Sequence, residues 1–350
     1  MHILHVVGAR PNFMKAAPVL HAIRGRNGTR QSLVHTGQHY DANMSDVFFR
    51  QLDLPQPDVN LAVGSGSQAR QTAEIMVRFE TVALEQKPDL VVVYGDVNST
   101  IAAALVCAKL QIPVAHVEAG LRSFDHTMPE EINRLMTDQI SEYLFTPSQD
   151  GDQNLLREGI CKEKIHFVGN VMIDTLVRLL PQAKFEVEGL PERYALVTLH
   201  RPSNVDDSAI LEALVGALLR VSQQIDIVFP VHPRTRKHLS QLGRELSRFH
   251  LLEPVPYLEF LSLQRGATAV ITDSGGIQEE TTYLGVPCLT VRENTERPVT
   301  ITKGTNVLIG RDMDQLAIEL EKILTGNKKQ AQIPPLWDGH AGERIASILS

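Results

Sequence analysis

The chain has 350 residues, 43% hydrophobic and 21% charged, more than one hydrophobic core usually serves, so two globular domains are expected. A formal net charge of -7 argues against nucleic acid as a partner, because phosphate neutralisation needs a broad basic face. No apolar run reaches the ~18 residues of a spanning helix, which argues against a membrane partner. Cys107, Cys161 and Cys288 are scattered without CxxC spacing, so they read as small core residues rather than a disulfide framework or a zinc site.

The N-terminus passes directly into a strand-like run, Ile3 to Val7, without the n-region, h-region and cleavage site of a signal peptide, so the chain reads as cytoplasmic. The strand closes on Gly8-Ala9-Arg10-Pro11-Asn12-Phe13-Met14-Lys15. Gly8 permits a tight turn, the helix that follows turns its first amides toward the strand end, and Arg10 and Lys15 add two cations. This suits a diphosphate, although the spacing is neither GxGxxG nor a P-loop, and an ordinary turn with surface cations is the alternative.

A helix is predicted over Ala69 to Glu85, then a strand, Leu90 to Tyr94, followed by Asp96. A helix from Thr100 to Leu110 leads to the strand Val114 to Val117 and Glu118, and a helix from Glu130 to Ile140 follows Pro129. Asp96, Glu118 and Glu130 thus recur at corresponding places, where neighbouring, partly desolvated carboxylates can divide acid and base roles. Each alone could be a cap or a loop carboxylate, and Glu130 suits a first-turn acid.

After the strand Ile165 to Val168 the pattern loosens, and a domain break is placed after Gly169, giving domains 1–169 and 170–339. The second half repeats the alternation: strands Leu196 to Leu199, Ile225 to Val231, Ala269 to Thr272 and Cys288 to Val291, with helices Ser208 to Gln223 and Ile277 to Leu284. Short, unalternating apolar strands separated by amphipathic helices are the signature of parallel α/β sheets, so the fold class is α/β with two Rossmann-like domains. Ligands in such sheets bind beyond the carboxyl ends of strands. Those ends carry His200-Arg201, His232-Pro233-Arg234 and Asp273-Ser274-Gly275-Gly276-Ile277-Gln278-Glu279-Glu280. The amides of Gly275 and Gly276 and the Ser274 hydroxyl make an anion site. Glu280, one turn on, suits the 2' and 3' hydroxyls of a ribose. Arg297 suits a phosphate, with Arg292 as a second basic residue after the same strand; a surface salt bridge is the alternative for either. Asn327 to Pro335 reads as a linker before a final helix from His340.

GARPNFMK at 8–15, TGQH at 36–39, GDVNST at 95–100, HVEAGLR at 116–122, PEEINR at 129–134, HR at 200–201, and DSGGIQEE with ENTERP at 273–298 together closely resemble the non-hydrolysing UDP-N-acetylglucosamine 2-epimerases. The resemblance runs over nearly the whole chain. It implies a GT-B arrangement with an interdomain active-site cleft, a C-terminal helix of about 340–350 returning to the first domain, and a homodimer. It implies interconversion of UDP-N-acetylglucosamine and UDP-N-acetylmannosamine through elimination and re-addition of UDP, with no metal and no cofactor. Carried over residue by residue, Asp96, Glu118 and Glu130 become the acid/base carboxylates and His200 stands near the departing diphosphate. Arg10, Lys15, Ser274, Gly275, Gly276 and Arg297 become phosphate contacts, Glu280 the ribose contact and Phe260 part of the uracil pocket. Arg134 is expected to hold Glu130 or the nucleotide.

Three places depart from the regulated members of that family. Tyr40-Asp41-Ala42-Asn43-Met44-Ser45-Asp46 replaces the REMLDQ-like run of their activating site, so allosteric activation is not carried over. Ser203 stands where an acid is frequent, and Pro335-Leu336-Trp337-Asp338-Gly339 stands where Tyr-Gly-Asp-Gly is common, with a packing role expected for Trp337. Rival readings are the same chemistry on a UDP-diacetamido-uronate or UDP-N-acetylfucosamine, a hydrolysing epimerase, a GT-B glycosyltransferase and a non-catalytic nucleotide-sugar sensor.

Overall fold

The structure is a computed structural model that describes residues 1–38, 49–184, 189–231, 233–241, 243 and 246–349. His39, the run Tyr40 to Asp46, and His232 lie outside the described residues. The chain divides into two compact units, Met1–Thr175 with Pro335–Ser350, and Leu176–Pro334.

The first unit holds strands β1 (His2–Val7), β2 (Arg30–His35), β3 (Val59–Asn60), β4 (Leu90–Tyr94), β5 (Val114–Val117), β6 (Tyr143–Thr146) and β7 (Ile165–Phe167). They form one sheet in the order β3-β2-β1-β4-β5-β6-β7, and every pairing is parallel. All five residues of β4 are buried, as a strand covered by helices on both faces requires. The order reverses between β1 and β4, where Val6 lies opposite Val93, so the ends of these two strands bound the first unit's switch point.

The second unit repeats the plan with β8 (Tyr194–Thr198), β9 (Asp226–Pro230), β10 (Phe249–Leu252), β11 (Ala269–Thr272), β12 (Cys288–Thr290) and β13 (Asn306–Leu308). Their order is β10-β9-β8-β11-β12-β13, again parallel, with the reversal between β8 and β11. The two Rossmann-like units make a GT-B-like α/β fold.

The last helix, Ala341–Leu349, packs on Arg10–Ile23 within the first unit. Gly342 permits the approach, since a Cβ there would lie 2.7 Å from the Pro18 backbone. Asp174 caps the helix, accepting from Ala341 N at 3.1 Å and Gly342 N at 2.7 Å. Trp337 is 2% exposed and its Nε1 donates to Pro147 O at 2.8 Å, a packing role that secures the returning segment. Cys107 and Cys288 are buried, but Cys161 is exposed, just before the short turn Lys162–Lys164, and so is no core residue.

Trp337→Ala is expected to destabilise the first unit by about 3–5 kcal/mol, through lost burial and a cavity that cannot fully collapse. Urea unfolding followed in each unit reads this, and an unchanged midpoint in the first unit overturns it.

Candidate active site

At the first switch point the backbone is tied before any ligand arrives. Asn12 Oδ1 accepts from Gly8 N and Ala9 N, each at 3.1 Å, while its Nδ2 donates to Tyr94 O at 2.8 Å, joining the ends of β1 and β4. A Cβ on Gly8 would overlap the Ser99 hydroxyl, so only glycine closes this turn. Thr36 and Gln38, from the end of β2, meet Ser99 there: its hydroxyl lies 2.8 Å from Thr36 Oγ1 and donates to Gln38 Oε1 at 2.7 Å.

Arg10 is exposed at the start of the helix Arg10–Ile23, whereas Lys15, one turn on, is buried with Nζ 2.7 Å from Glu118 Oε1. Glu118 is 4% exposed and holds a left-handed backbone, φ 77°, which a side-chain-bearing residue adopts only when its surroundings compel it. Asp96 and Glu130 line one cavity of about 250 Å³ with Gln38, Ser65, Asn98 and Asn133. Asn133 Nδ2 donates to Asp96 O at 2.9 Å.

Arg134 departs from the sequence expectation. Its guanidinium is buried and binds the Asp96 carboxylate and Glu131 Oε2, the latter at 2.6 Å from Nη2 and 3.1 Å from Nε. Glu131, rather than Glu130, is the anchoring acid. It also accepts from Ser123 N and Oγ and from Phe124 N at 2.9–3.1 Å. Burial pushes the Glu131 carboxyl up, but those backbone donors and Arg134 outweigh it and hold it below its ordinary range. An acid and an arginine one turn apart on the helix Pro129–Ile140 were the available signal, and Glu130 and Glu131 both satisfied it.

At the second switch point Asp273 is the organising group, a role its position at the end of β11 did not disclose. Fully buried, it accepts from Arg201 N at 2.9 Å, from His200 N at 3.1 and 3.2 Å and from Asn204 Nδ2 at 3.1 Å. His200 Nδ1 lies 3.0 Å from its Oδ1. Burial pushes the Asp273 carboxyl up, yet His200, the Arg201 amide and Asn204 hold it below its ordinary range. A carboxylate accepts only, so Nδ1 of His200 carries hydrogen, on a side chain that is otherwise exposed.

The helix Gly275–Leu284 starts beside it, with Ser274 at its N-cap position and no capping bond from the Ser274 side chain. A Cβ on Gly275 would lie 2.6 Å from Arg297 Nη1, so this glycine lets the guanidinium sit against the helix N-terminus, while Gly276 opens onto space. Arg297 is no surface residue: it is 9% exposed, with Nε 3.0 Å from Glu279 Oε1 and Nη1 3.3 Å from Glu296 Oε2. Arg292, also buried, grips Glu296 through two bonds of 2.8 and 3.0 Å. Glu280 is buried and accepts from the Tyr257 hydroxyl at 2.8 Å, and Phe260, on the adjacent helix Tyr257–Gly266, packs in the cluster that includes Ile277. The structure thus gathers Arg10, Lys15, Asp96, Glu118, Glu130 and Arg134 at one switch point. It gathers His200, Phe260, Ser274, Gly275, Gly276, Glu280 and Arg297 at the other.

The sequence profile of the UDP-N-acetylglucosamine 2-epimerase family matches residues 21–350. A UDP-N-acetylglucosamine 2-epimerase from Methanocaldococcus jannaschii is 43% identical over 365 aligned positions, covering 100% of this chain and 99% of that one. A UDP-2,3-diacetamido-2,3-dideoxy-D-glucuronate 2-epimerase from Pseudomonas aeruginosa is 42% identical, with 100% and 99% covered. The crystal structure of the M. jannaschii enzyme in complex with UDP-GlcNAc and UDP matches with a TM-score of 0.90 at 43% identity, over 100% of this chain and 99% of that one.

Asp273, Glu131 and Glu296 all have carboxyls held below their ordinary range, so each contributes stability that is present above about pH 4 and lost as pH falls through its depressed folded value. The melting temperature is therefore expected to hold from about pH 7 to 5 and drop steeply below about 4. Equal melting temperatures at about pH 7 and pH 3 contradict this.

Proposed function

The chain belongs to the UDP-N-acetylglucosamine 2-epimerase family and is an isomerase of UDP-sugars, and on that premise we propose how it works. It interconverts UDP-N-acetylglucosamine and UDP-N-acetylmannosamine without hydrolysis, by eliminating UDP across C1 and C2 to a 2-acetamidoglucal and adding it back. The observation that carries this reading is the cavity shared by Asp96 and Glu130, with Glu118 on the neighbouring strand end and cations at the same switch point.

Elementary chemistry assigns the parts. H2 of an N-acetylhexosamine is not acidic, so departure of UDP leads and the oxocarbenium character it creates loosens H2. Charge develops on the leaving diphosphate, where Arg10, Lys15, Arg297, the amides of Gly275 and Gly276, and the Ser274 hydroxyl stabilise it. His200, oriented by Asp273, serves the same diphosphate. Returning a proton to either face of C2 requires carriers on both faces, which Asp96, Glu118 and Glu130 supply. Exclusion of water keeps the intermediate from capture and the sugar on its nucleotide. Glu280 accepts from the ribose hydroxyls, and Phe260 borders the uracil.

The 42% identity to the diacetamido-glucuronate epimerase favours a second reading, the same chemistry on that modified sugar. Product analysis with both nucleotide sugars separates them.

We assign a cytoplasmic location, which suits a nucleotide-sugar substrate; among the described residues no helix is long and apolar enough to cross a membrane. We also assign a homodimer. Val77 and Leu84 on the helix Gln68–Gln86, and Ile132 and Met136 on Pro129–Ile140, are 44–68% exposed and supply apolar surface for a second copy. Light scattering is expected to give twice the chain mass, and a monomer at micromolar concentration overturns this assignment.

In D2O, proton NMR of the enzyme with UDP-N-acetylglucosamine is expected to show loss of H2 from both epimers, each still attached to UDP. Asp96→Asn is expected to abolish this exchange and to leave UDP affinity within about twofold. An equal loss of UDP affinity sinks the catalytic assignment, and free N-acetylmannosamine as product sinks the non-hydrolysing one.

A further inference from the structure

Near the proposed carboxylates lies a cluster that the mechanism above does not use, with His116, Asp138 and Arg122 buried. His116, the third residue of β5, has Nδ1 2.6 Å from Asp138 Oδ1 and Nε2 2.8 Å from Gly95 O. The other oxygen of Asp138 accepts from Gly120 N at 3.1 Å and lies 2.7 Å from Arg122 Nη2. Arg122 in turn clasps Glu158 through two bonds, of 2.8 and 2.6 Å.

Donor and acceptor chemistry settles the protonation of this cluster. A carbonyl oxygen only accepts, so His116 Nε2 carries hydrogen. Asp138 is a carboxylate: burial pushes its carboxyl up, but the charge and hydrogen bond of His116 and the charge of Arg122 hold it below its ordinary range. Nδ1 of His116 faces that carboxylate at 2.6 Å. Arg122 faces two anions, the buried Asp138 and the half-buried Glu158, so its charge is matched.

The cluster's outer bonds fall on two functional loops. The Gly95 carbonyl precedes Asp96, at a glycine with φ 62°. The Gly120 amide lies two residues after Glu118, whose own φ is 77°. We infer that the His116–Asp138 pair is a positioning element of the epimerisation, holding the loops of Asp96 and Glu118 at their working separation. This inference rests on the function proposed above. A misplacement on the order of 1 Å at reacting groups costs about a hundredfold in rate, so loosening either bond acts on turnover. Most groups assigned to UDP, namely His200, Ser274, Gly275, Gly276, Glu280 and Arg297, stand at the second unit's switch point, away from these bonds.

The test is a double-mutant cycle in the full chain. A glutamine whose amide nitrogen donates to Gly95 O turns its amide oxygen toward Asp138, so His116→Gln leaves Asp138 facing an acceptor. Asp138→Asn removes the carboxylate that His116 and Arg122 share. Each single variant is expected to lose about a hundredfold in kcat, with KM and UDP affinity within about twofold. The double variant, His116→Gln with Asp138→Asn, restores the bonds as an amide pair in which the introduced asparagine donates to the introduced glutamine, and it leaves Arg122 balanced by Glu158. Its kcat is expected to exceed that of either single variant by about tenfold or more.

Nitrogen NMR of 15N-histidine-labelled enzyme, with the His116 signals assigned by their absence from His116→Gln, is expected to show hydrogen on Nε2, as the bond to Gly95 O requires. A His116 ring without hydrogen on Nε2, wild-type kcat in both single variants, or parallel losses in kcat and UDP affinity without recovery in the double variant each overturn the inference. Failure of the proposed function reads differently, as a wild-type enzyme that does not epimerise its nucleotide sugar.

Discussion

Arg134 anchors the first unit's switch point. A guanidinium that is 2% exposed cannot stand in a protein interior without matched anions, because desolvation of an unpaired charge costs several kcal/mol. Glu131 provides one anion and is itself fastened to the 123–124 backbone. Asp96 provides the other. The proposed catalytic carboxylate is thus half of a buried charge balance, held in place by the same attraction that makes Arg134 tolerable. Its neighbour Glu118 is built alike, its carboxylate against the buried Lys15 and its backbone in a conformation the loop imposes.

The second unit solves the corresponding problem with backbone donors. Asp273 gathers the amides of His200 and Arg201 across the gap between β11 and β8, so one acid fixes the path of a loop and the tautomer of its histidine. Alongside it, Glu296 stands between Arg292 and Arg297 and keeps two cations apart while leaving one of them at a helix N-terminus. Both switch points therefore assemble their polar groups through buried ions whose partners come from adjacent strand ends. Parallel topology makes this economical, since it brings every strand's carboxyl end to the same edge of the sheet.

Much of this was legible in the residues and some was not, for physical reasons. The strands Leu90–Tyr94, Val114–Val117 and Ala269–Thr272 stand where their unalternating apolar runs put them, because full burial on two faces leaves no other composition. Two helices start earlier than apolar periodicity indicates, at Asn98 and Gly275, because their first turns consist of polar residues and glycine facing the strand ends. Partner choice was beyond reach. Glu130 stands four residues before Arg134 and Glu131 three, and both spacings allow a pair on one helix. The choice is made by Ser123 and Phe124, whose amides arrive from another loop. His116 within a buried four-residue strand gave no sign of which element would meet its ring.

The return of residues 335–349 to the first unit bears on how the chain is made. Trp337 binds Pro147 O, Arg26 reaches Ala346 O, and Gly342 lies against Pro18, so the helix beside Arg10 receives its final covering from sequence more than three hundred residues downstream. During synthesis from the N-terminus, the second unit has all its residues before the first does. The helix Arg10–Ile23 meanwhile waits with an uncovered face. Such a long-range closure slows folding and leaves apolar surface open to other chains for longer. The order of completion is thus the reverse of the order of translation, and chaperone demand should concentrate on the half that emerges first.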